Sequence, residues 1–418
     1  MKKYILAVLL PAAVVAVTAF AIQPAAKRYL VTDYGAIGDS TTINTSAIQA
    51  TIDACSAKGG GVVIIPKGVF ISGAIFLKKG VDLNIEKNGV LKGTIQPDAY
   101  PQINTRWEGE ERLFTAAFVN INDMQGTRIY GEGTIDGSGD EWVKRSREQR
   151  QAGIPSPKTG HPRLICFQNC SNVRIEGLRL HNQAVWCLHI LYSHNVQASN
   201  LHITADHNIP SSDGIDIDSS DSVRVSNTFI DVNDDCISIK SGKDDDGRRV
   251  NRPSKNIVID SCHFAYGHGG VAMGSEVTGG INHVLISNCI IDGSNWAPIR
   301  FKSQPSRGGV VENITYQNIT LNNTRKAFEF NMAWRMVGTV REAAKVPTIV
   351  RNILIKNVSG TVQAVGDMSG LDKSPIEGVT FENCAIKAET GLVLRNVTKI
   401  DTTNFHLSVQ TGQALIQN

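Results

Sequence analysis

The sequence predicts an all-β fold, a single-stranded right-handed parallel β-helix with a short N-terminal capping helix. Three observations carry that expectation. First, one short phrase recurs, a polar turn residue followed by alternating apolar and polar residues, at Asn172, Asn195, Ser222, Asn256, His283, Asn313, Asn352 and Gly378. That alternation is the period of a half-buried strand. Second, the intervals between copies vary, running 23, 27, 34, 27, 30, 39 and 26 residues. A fixed strand with a variable spacer describes a solenoid whose coils keep their strands and vary their loops, whereas propeller blades are longer and more regular. Third, helical periodicity is scarce. Length alone, 418 residues, would suggest two or three domains, but the repetition argues for one.

The elements follow in chain order. Lys2 and Lys3, the apolar run Tyr4–Thr18 and Ala19-Phe20-Ala21 form the basic, apolar and small-residue parts of a secretory signal, so residues 1–21 are read as a leader and 22–418 as one β-helix domain. No second apolar stretch is long enough to span a bilayer, which places the mature chain in the periplasm or outside the cell. Ser46 and Gln49 have capping-box spacing and open a short helix with Ile48, Ile52 and Cys55 on one face. Gly59-Gly60-Gly61 ends it. Such a helix can cover the apolar layer that a terminal coil exposes. Strands are expected at Val62–Ile65 and Val81–Ile85. Residues 140–162, charged, unpatterned and containing proline, read as a long loop bordering the binding face.

Charge narrows the partners. There are 42 Lys+Arg against 39 Asp+Glu. Removing Lys2 and Lys3 leaves 40 bases, a mature charge of about +1, so no diffuse basic surface recruits nucleic acid. The eight cysteines include Cys262, Cys289 and Cys384 at matching places after the repeat phrase, as expected of small buried residues stacked coil on coil. None has metal-site spacing.

Chemistry collects between Ser211 and Lys302. Aligning the apolar pairs Ile215/Ile217, Ile237/Ile239, Val271/Met273 and Ile299/Phe301 puts equivalent positions on neighbouring coils about 4.8 Å apart. Asp213 and Asp235 then share one column, Asp234 and His268 the next, and Arg300 and Lys302 point to one outward face. Stacked carboxylates cannot all ionise freely. They suit glycosidic cleavage, in which one carboxyl protonates the leaving oxygen and another activates water, about 6.5–9.5 Å apart in inverting enzymes. Turn capping explains either aspartate alone, but not the joint pattern.

These residues resemble a known family. Ser211-Ser212-Asp213-Gly214-Ile215-Asp216, Asp234-Asp235-Cys236, Gly267-His268-Gly269-Gly270 with Gly274-Ser275, and Arg300-Phe301-Lys302 look like the four motifs of polygalacturonases, glycoside hydrolase family 28. Asp33-Tyr34-Gly35-Ala36-Ile37-Gly38-Asp39 is similar to the start of pectinase-type β-helices. The resemblance implies inverting hydrolysis of an α-galacturonide in pectin without a cofactor or metal. Asp234 would be the general acid, Asp213 with Asp235 would activate water, His268 would tune the acid, and Arg300 and Lys302 would grip a substrate carboxylate. Trp296 is the preferred stacking platform, with Trp186 and Trp334 as further candidates.

Two departures stand out. The family usually has Asn-Thr-Asp where this chain has Ser211-Ser212-Asp213, and the insertion around Gly242–Arg249 could wall off one end of the cleft and favour attack at chain ends. A solvated charged loop is the plainer expectation for Asp244–Asp246 with Arg248 and Arg249. Gly274-Ser275-Glu276 and Arg307-Gly308-Gly309 also resemble exo-acting bacterial members. Asp216, Asp218 and Asp221 could hold calcium, though Asp218 is expected to face Lys240. His181, His189, His194 and His202 are read as surface or stacking residues. The competing functions are a rhamnogalacturonan hydrolase, a calcium-dependent pectate lyase and a non-catalytic polysaccharide-binding β-helix.

Overall fold

The computed structural model describes residues 26–154, 160–293, 295–335 and 341–417. The expected leader lies outside them. Among the described residues no helix is long and apolar enough to cross a membrane. The chain winds into a right-handed parallel β-helix in which 33 strands join one continuous sheet, and a single antiparallel hairpin stands apart from it.

The recurring phrase explains the winding. Its turn residues sit at corners with left-handed backbone, φ 55° at Asn172, 52° at Asn195, 57° at Ser222, 55° at Asn256, 54° at His283, 57° at Asn313, 56° at Asn352 and 69° at Gly378. Asn and Gly tolerate that region at low steric cost. The next residue turns inward each time, so Val173, Val196, Val223, Ile257, Val284, Ile314, Ile353 and Val379 pair coil to coil as one buried column. A second corner is lined by side-chain amides. Asn318 donates to Asn288 (2.9 Å), Asn357 to Asn318 (2.8 Å) and Asn383 to Asn357 (2.8 Å), all with positive φ.

Helix α1 (Thr45–Ala57) covers the first coils with Ile48, Ile52 and Cys55 fully buried, as expected. It begins one residue before Ser46, however. Asn44 is the N-cap and makes no side-chain capping bond, so the capping box does not form. The Asn44 side chain instead accepts from the Ile37 amide (2.7 Å) and donates to the Ile37 and Thr42 carbonyls. The expected loop at 140–162 is also wrong in its first half, where helix α2 spans Gly139–Gln151. Only Trp142 and Val143 of that polar stretch reach the core besides Gly139, too few to give a visible period. All eight cysteines are buried free thiols.

The amide ladder carries a test. Asn318→Ala removes two ladder hydrogen bonds and puts a Cβ-bearing residue without a local side-chain bond at φ 55°. It should cost about 1–2 kcal/mol and lower the thermal midpoint measured by circular dichroism. Activity should be unchanged.

Candidate active site

Register places the site. The apolar pairs meet as aligned, Ile215 with Ile237, Val271 and Ile299, and Ile217 with Ile239, Met273 and Phe301. All eight are buried in the helix core. Their alternating partners, including Arg300 and Lys302, therefore face outward. The turns feeding these strands are held by backbone bonds from Gly214 to the Asp235 carbonyl (3.0 Å), from Cys236 to Gly269 (2.7 Å) and from His268 to Asp234 (3.0 Å). Those bonds bring the four acid–base residues together in the two expected columns.

One oxygen from each of Asp213, Asp234 and Asp235 lies within 4.8 Å of the others. That approach is closer than the about 6.5–9.5 Å of the usual inverting pair. Depth separates the three. The Asp235 side chain is 0% exposed, Asp213 5% and Asp234 27%, with His268 at the mouth at 54%. Gly269 is required by this crowding, since a Cβ there would sit 2.7 Å from Asp235 Oδ1.

Each carboxylate has its own cation. Lys302 Nζ lies 2.6 Å from Asp235 Oδ2 and Arg300 Nη1 3.3 Å from Oδ1. His268 Nδ1 is 3.4 Å from Asp234 Oδ1. Fully buried Lys240 lies 3.4 Å from Asp216, 3.5 Å from Glu276 and 4.0 Å from Asp213, over the Trp186 ring. Arg300 also donates through Nε to Glu329 (2.7 Å), which accepts from Trp296 Nε1 (3.2 Å), while Lys302 lies over Trp334. Both expected carboxylate-gripping cations thus hold Asp235 in the unliganded site. Lys302 lies 5.2 Å from the Trp334 ring centroid, and Trp186 is buried beneath Lys240. A metal among the three aspartates would have to compete with Lys302.

Asp213 and Asp234 are shifted in opposite directions. Burial drives the Asp213 carboxyl well up, reinforced by the charges of Asp216 and Asp234. Burial also pushes Asp234 upward, but the hydrogen bond from His268 and the charge of Lys302 outweigh it and hold that carboxyl below the usual range. The Asp234 bond in turn raises His268, against burial. Asp213 is thereby pushed toward its neutral form, Asp234 toward its carboxylate and His268 toward its imidazolium.

Other expectations shift. Asp218 and Lys240 are Cα partners, but the Asp218 carboxylate turns to Arg106 (2.8 Å) and His189 (3.6 Å), all fully buried. His189 is accordingly not at the surface, and its ring packs edge-on against Trp186, 5.1 Å between centroids. Its Nδ1 lies 2.6 Å from Arg163, and burial lowers its pKa to about 4. His202 does stack, on Phe229. With Asp216 on Lys240 and Asp218 on Arg106, no calcium site forms from Asp216, Asp218 and Asp221. Ser211, where the family usually has Asn, is exposed at φ 55°. Ser212 is buried, bonding Ile209 and Asn233.

The hairpin Gln102–Trp107 and Glu110–Thr115 was not legible in the sequence. Its Glu108-Gly109 turn has positive φ at both residues, 46° and 81°. Arg106 enters the helix wall at Asp218. Gly109 packs where a Cβ would fall 2.8 Å from Lys243 N and 2.9 Å from Glu276 Cγ. The insertion after Lys240 is not a solvated loop but helix α3 (Asp244–Val250). It packs on this hairpin, with Arg249 on Glu111 (2.5 Å) and the Glu111 amide donating to Asp246 (3.0 Å). Buried Asp244 pairs with Arg307 (2.7 Å) and Arg341 (3.3 Å). Hairpin and α3 thus reach from Asp218 to the later coils of Glu276, Arg307 and Arg341. The doublet Glu108-Gly109 was the available signal, a two-residue turn of the Asp-Gly kind.

A β-helix groove with grouped aspartates and outward cations defines a glycosidase. Residues 55–411 match the glycosyl hydrolases family 28, and the chain belongs to that family. It is 29% identical over 375 residues to an exo-poly-α-D-galacturonosidase of Dickeya chrysanthemi, covering 79% of this chain and 61% of that one. The match thus spans about three fifths of that relative's length. An endo-polygalacturonase of Pectobacterium carotovorum subsp. carotovorum is 29% identical, with 86% and 88% covered. A hyperthermoactive exopolygalacturonase from Thermotoga maritima superposes with a TM-score of 0.77 at 26% identity, covering 94% and 92%.

His268 gives a measurable consequence. A histidine raised by a carboxylate keeps its ion pair below the ordinary value near 6.5 and loses it as pH rises through the higher folded value. NMR titration of His268 should place its midpoint above 6.5. In Asp234→Asn the midpoint should fall. An unchanged midpoint in that variant would show that Asp234 is not the cause.

Proposed function

We propose that the protein is an exported inverting hydrolase of α-galacturonide linkages in pectin that acts from the non-reducing chain end. The observation that carries the chemistry is the depth gradient among three aspartates. Asp234 faces the open cleft, where a leaving oxygen would lie, while Asp213 and Asp235 sit beneath it, where a water can be held away from bulk. A substrate carboxylate drawn to Arg300 and Lys302 would offset the positive potential that keeps Asp234 ionised. Asp234 would then take up the proton held beside it on His268 and deliver it to the leaving oxygen. Asp213 and Asp235 would together position the attacking water, and one of them would accept its proton.

Attack at chain ends is supported by the hairpin and α3, which pack on each other beside Glu276, and by the exo-acting relatives. Export is supported by the amino-terminal leader pattern of Lys2, Lys3 and the apolar run to Thr18.

Asp234→Asn should lower the release of reducing sugar from polygalacturonate by about 10²–10⁴-fold. Retained activity would refute the assignment of the acid. Chromatography of early products should show monomer alone, whereas a ladder of oligomers would mean internal cleavage. Proton NMR of the first product should show the β-anomer, as inversion requires. Chelator should leave the rate unchanged. Calcium-dependent formation of an unsaturated, ultraviolet-absorbing product would instead indicate a lyase.

A further inference from the structure

Beyond Arg300 and Lys302 the cleft continues over the next coil, where Arg300 pairs with Glu329 and Glu329 with Asp367 in strand register. On one bank Trp296 is 38% exposed, the only tryptophan among the large exposed apolar residues described. Two consecutive cations approach its ring, Arg325 at 5.2 Å and Lys326 at 5.7 Å from the centroid. Their backbone amides donate to Asn295 (3.2 Å) and Trp296 (3.0 Å), which fixes the two turns against each other. The cations differ in what they satisfy. Lys326 is committed to Asp367 (2.5 Å) and Glu329 (3.4 Å). Arg325 is exposed and, among the described residues, has its contact with Trp296 and no ion pair.

We propose that Arg325, steadied on Trp296, binds the carboxylate of a third uronic acid residue in an acidic oligosaccharide. The site lies one coil beyond the pair formed by Arg300 and Lys302. The inference rests on the galacturonide reading above and extends it to the reducing-end side of the cleft. Three features favour a sugar acid. Arg325 belongs to the next coil, about 4.8 Å on, where it flanks Trp296 ahead of the position that faces Arg300, which Glu329 occupies. A guanidinium offers a planar fork to a carboxylate. Trp296 holds that fork by its face and costs it little freedom. The acids on the floor, Glu329 and Asp367, are already neutralised by Arg300 and Lys326 and so do not repel a polyanion there.

Chain-length dependence tests this. Wild type, Arg325→Ala and Arg325→Lys are assayed on di-, tri- and tetragalacturonate. Arg325→Ala should raise KM for the tri- and tetramer about twofold to fivefold, the size of one exposed ionic contact. KM for the dimer and kcat for all three should not change. Arg325→Lys should recover most of the loss, and 0.5 M salt, roughly fivefold above the level where screening sets in near 10 Å, should erase the difference. An equal effect at every length, or none at any, overturns the proposal while leaving the galacturonide reading intact. If wild type cleaves none of the three, the galacturonide reading falls, and this site with it.

Discussion

The structure depends on charge compensation around Asp235. Three carboxylates with oxygens inside 4.8 Å of one another are costly together, and the deepest has no exposure to water. Lys302 at 2.6 Å and Arg300 at 3.3 Å make that position tenable. Neutralising one partner of such a buried group costs about 3–5 kcal/mol. The two cations come from a coil two strands further along, so the acid cluster exists only if the intervening register is right. Gly269, on the coil between, is the residue that lets them reach across. Site and scaffold are therefore one arrangement, because the parallel ladder that buries Ile237, Val271 and Ile299 also aims the charges.

Much of this was readable in the chain. The left-handed corners were visible because Asn and Gly mark them, and the catalytic columns because the apolar pairs align without gaps. What stayed hidden depends on contacts between segments far apart in sequence. Arg106 and Asp218 are 112 positions apart, and nothing local to either announces the partner. Asp218 therefore reads as a partner of Lys240, which its Cα faces, although its side chain turns away. Helix α2 was missed for a different reason: it lies on the surface and buries only a short segment, so its sequence carries almost no hydrophobic period.

The distribution of protons also could not be read from spacing. Columns show which groups meet, but the neighbouring charges and hydrogen bonds set the direction in which each pKa moves. Asp213 and Asp234 are the same residue type on adjacent coils, and they diverge because one is enclosed among carboxylates and the other faces an imidazole.

The amide ladder at the corners has a consequence for the history of such molecules. Each coil is fastened to the next by bonds that belong to the corner and the inward column, whatever the connecting segment contains. A hairpin, a short helix or a bare turn can stand between two strands without altering the fastening. Substrate preference and mechanical integrity are thus carried by different atoms of the same coil. Connecting segments can be lengthened, lost or exchanged in descent while the shaft that presents them stays the same.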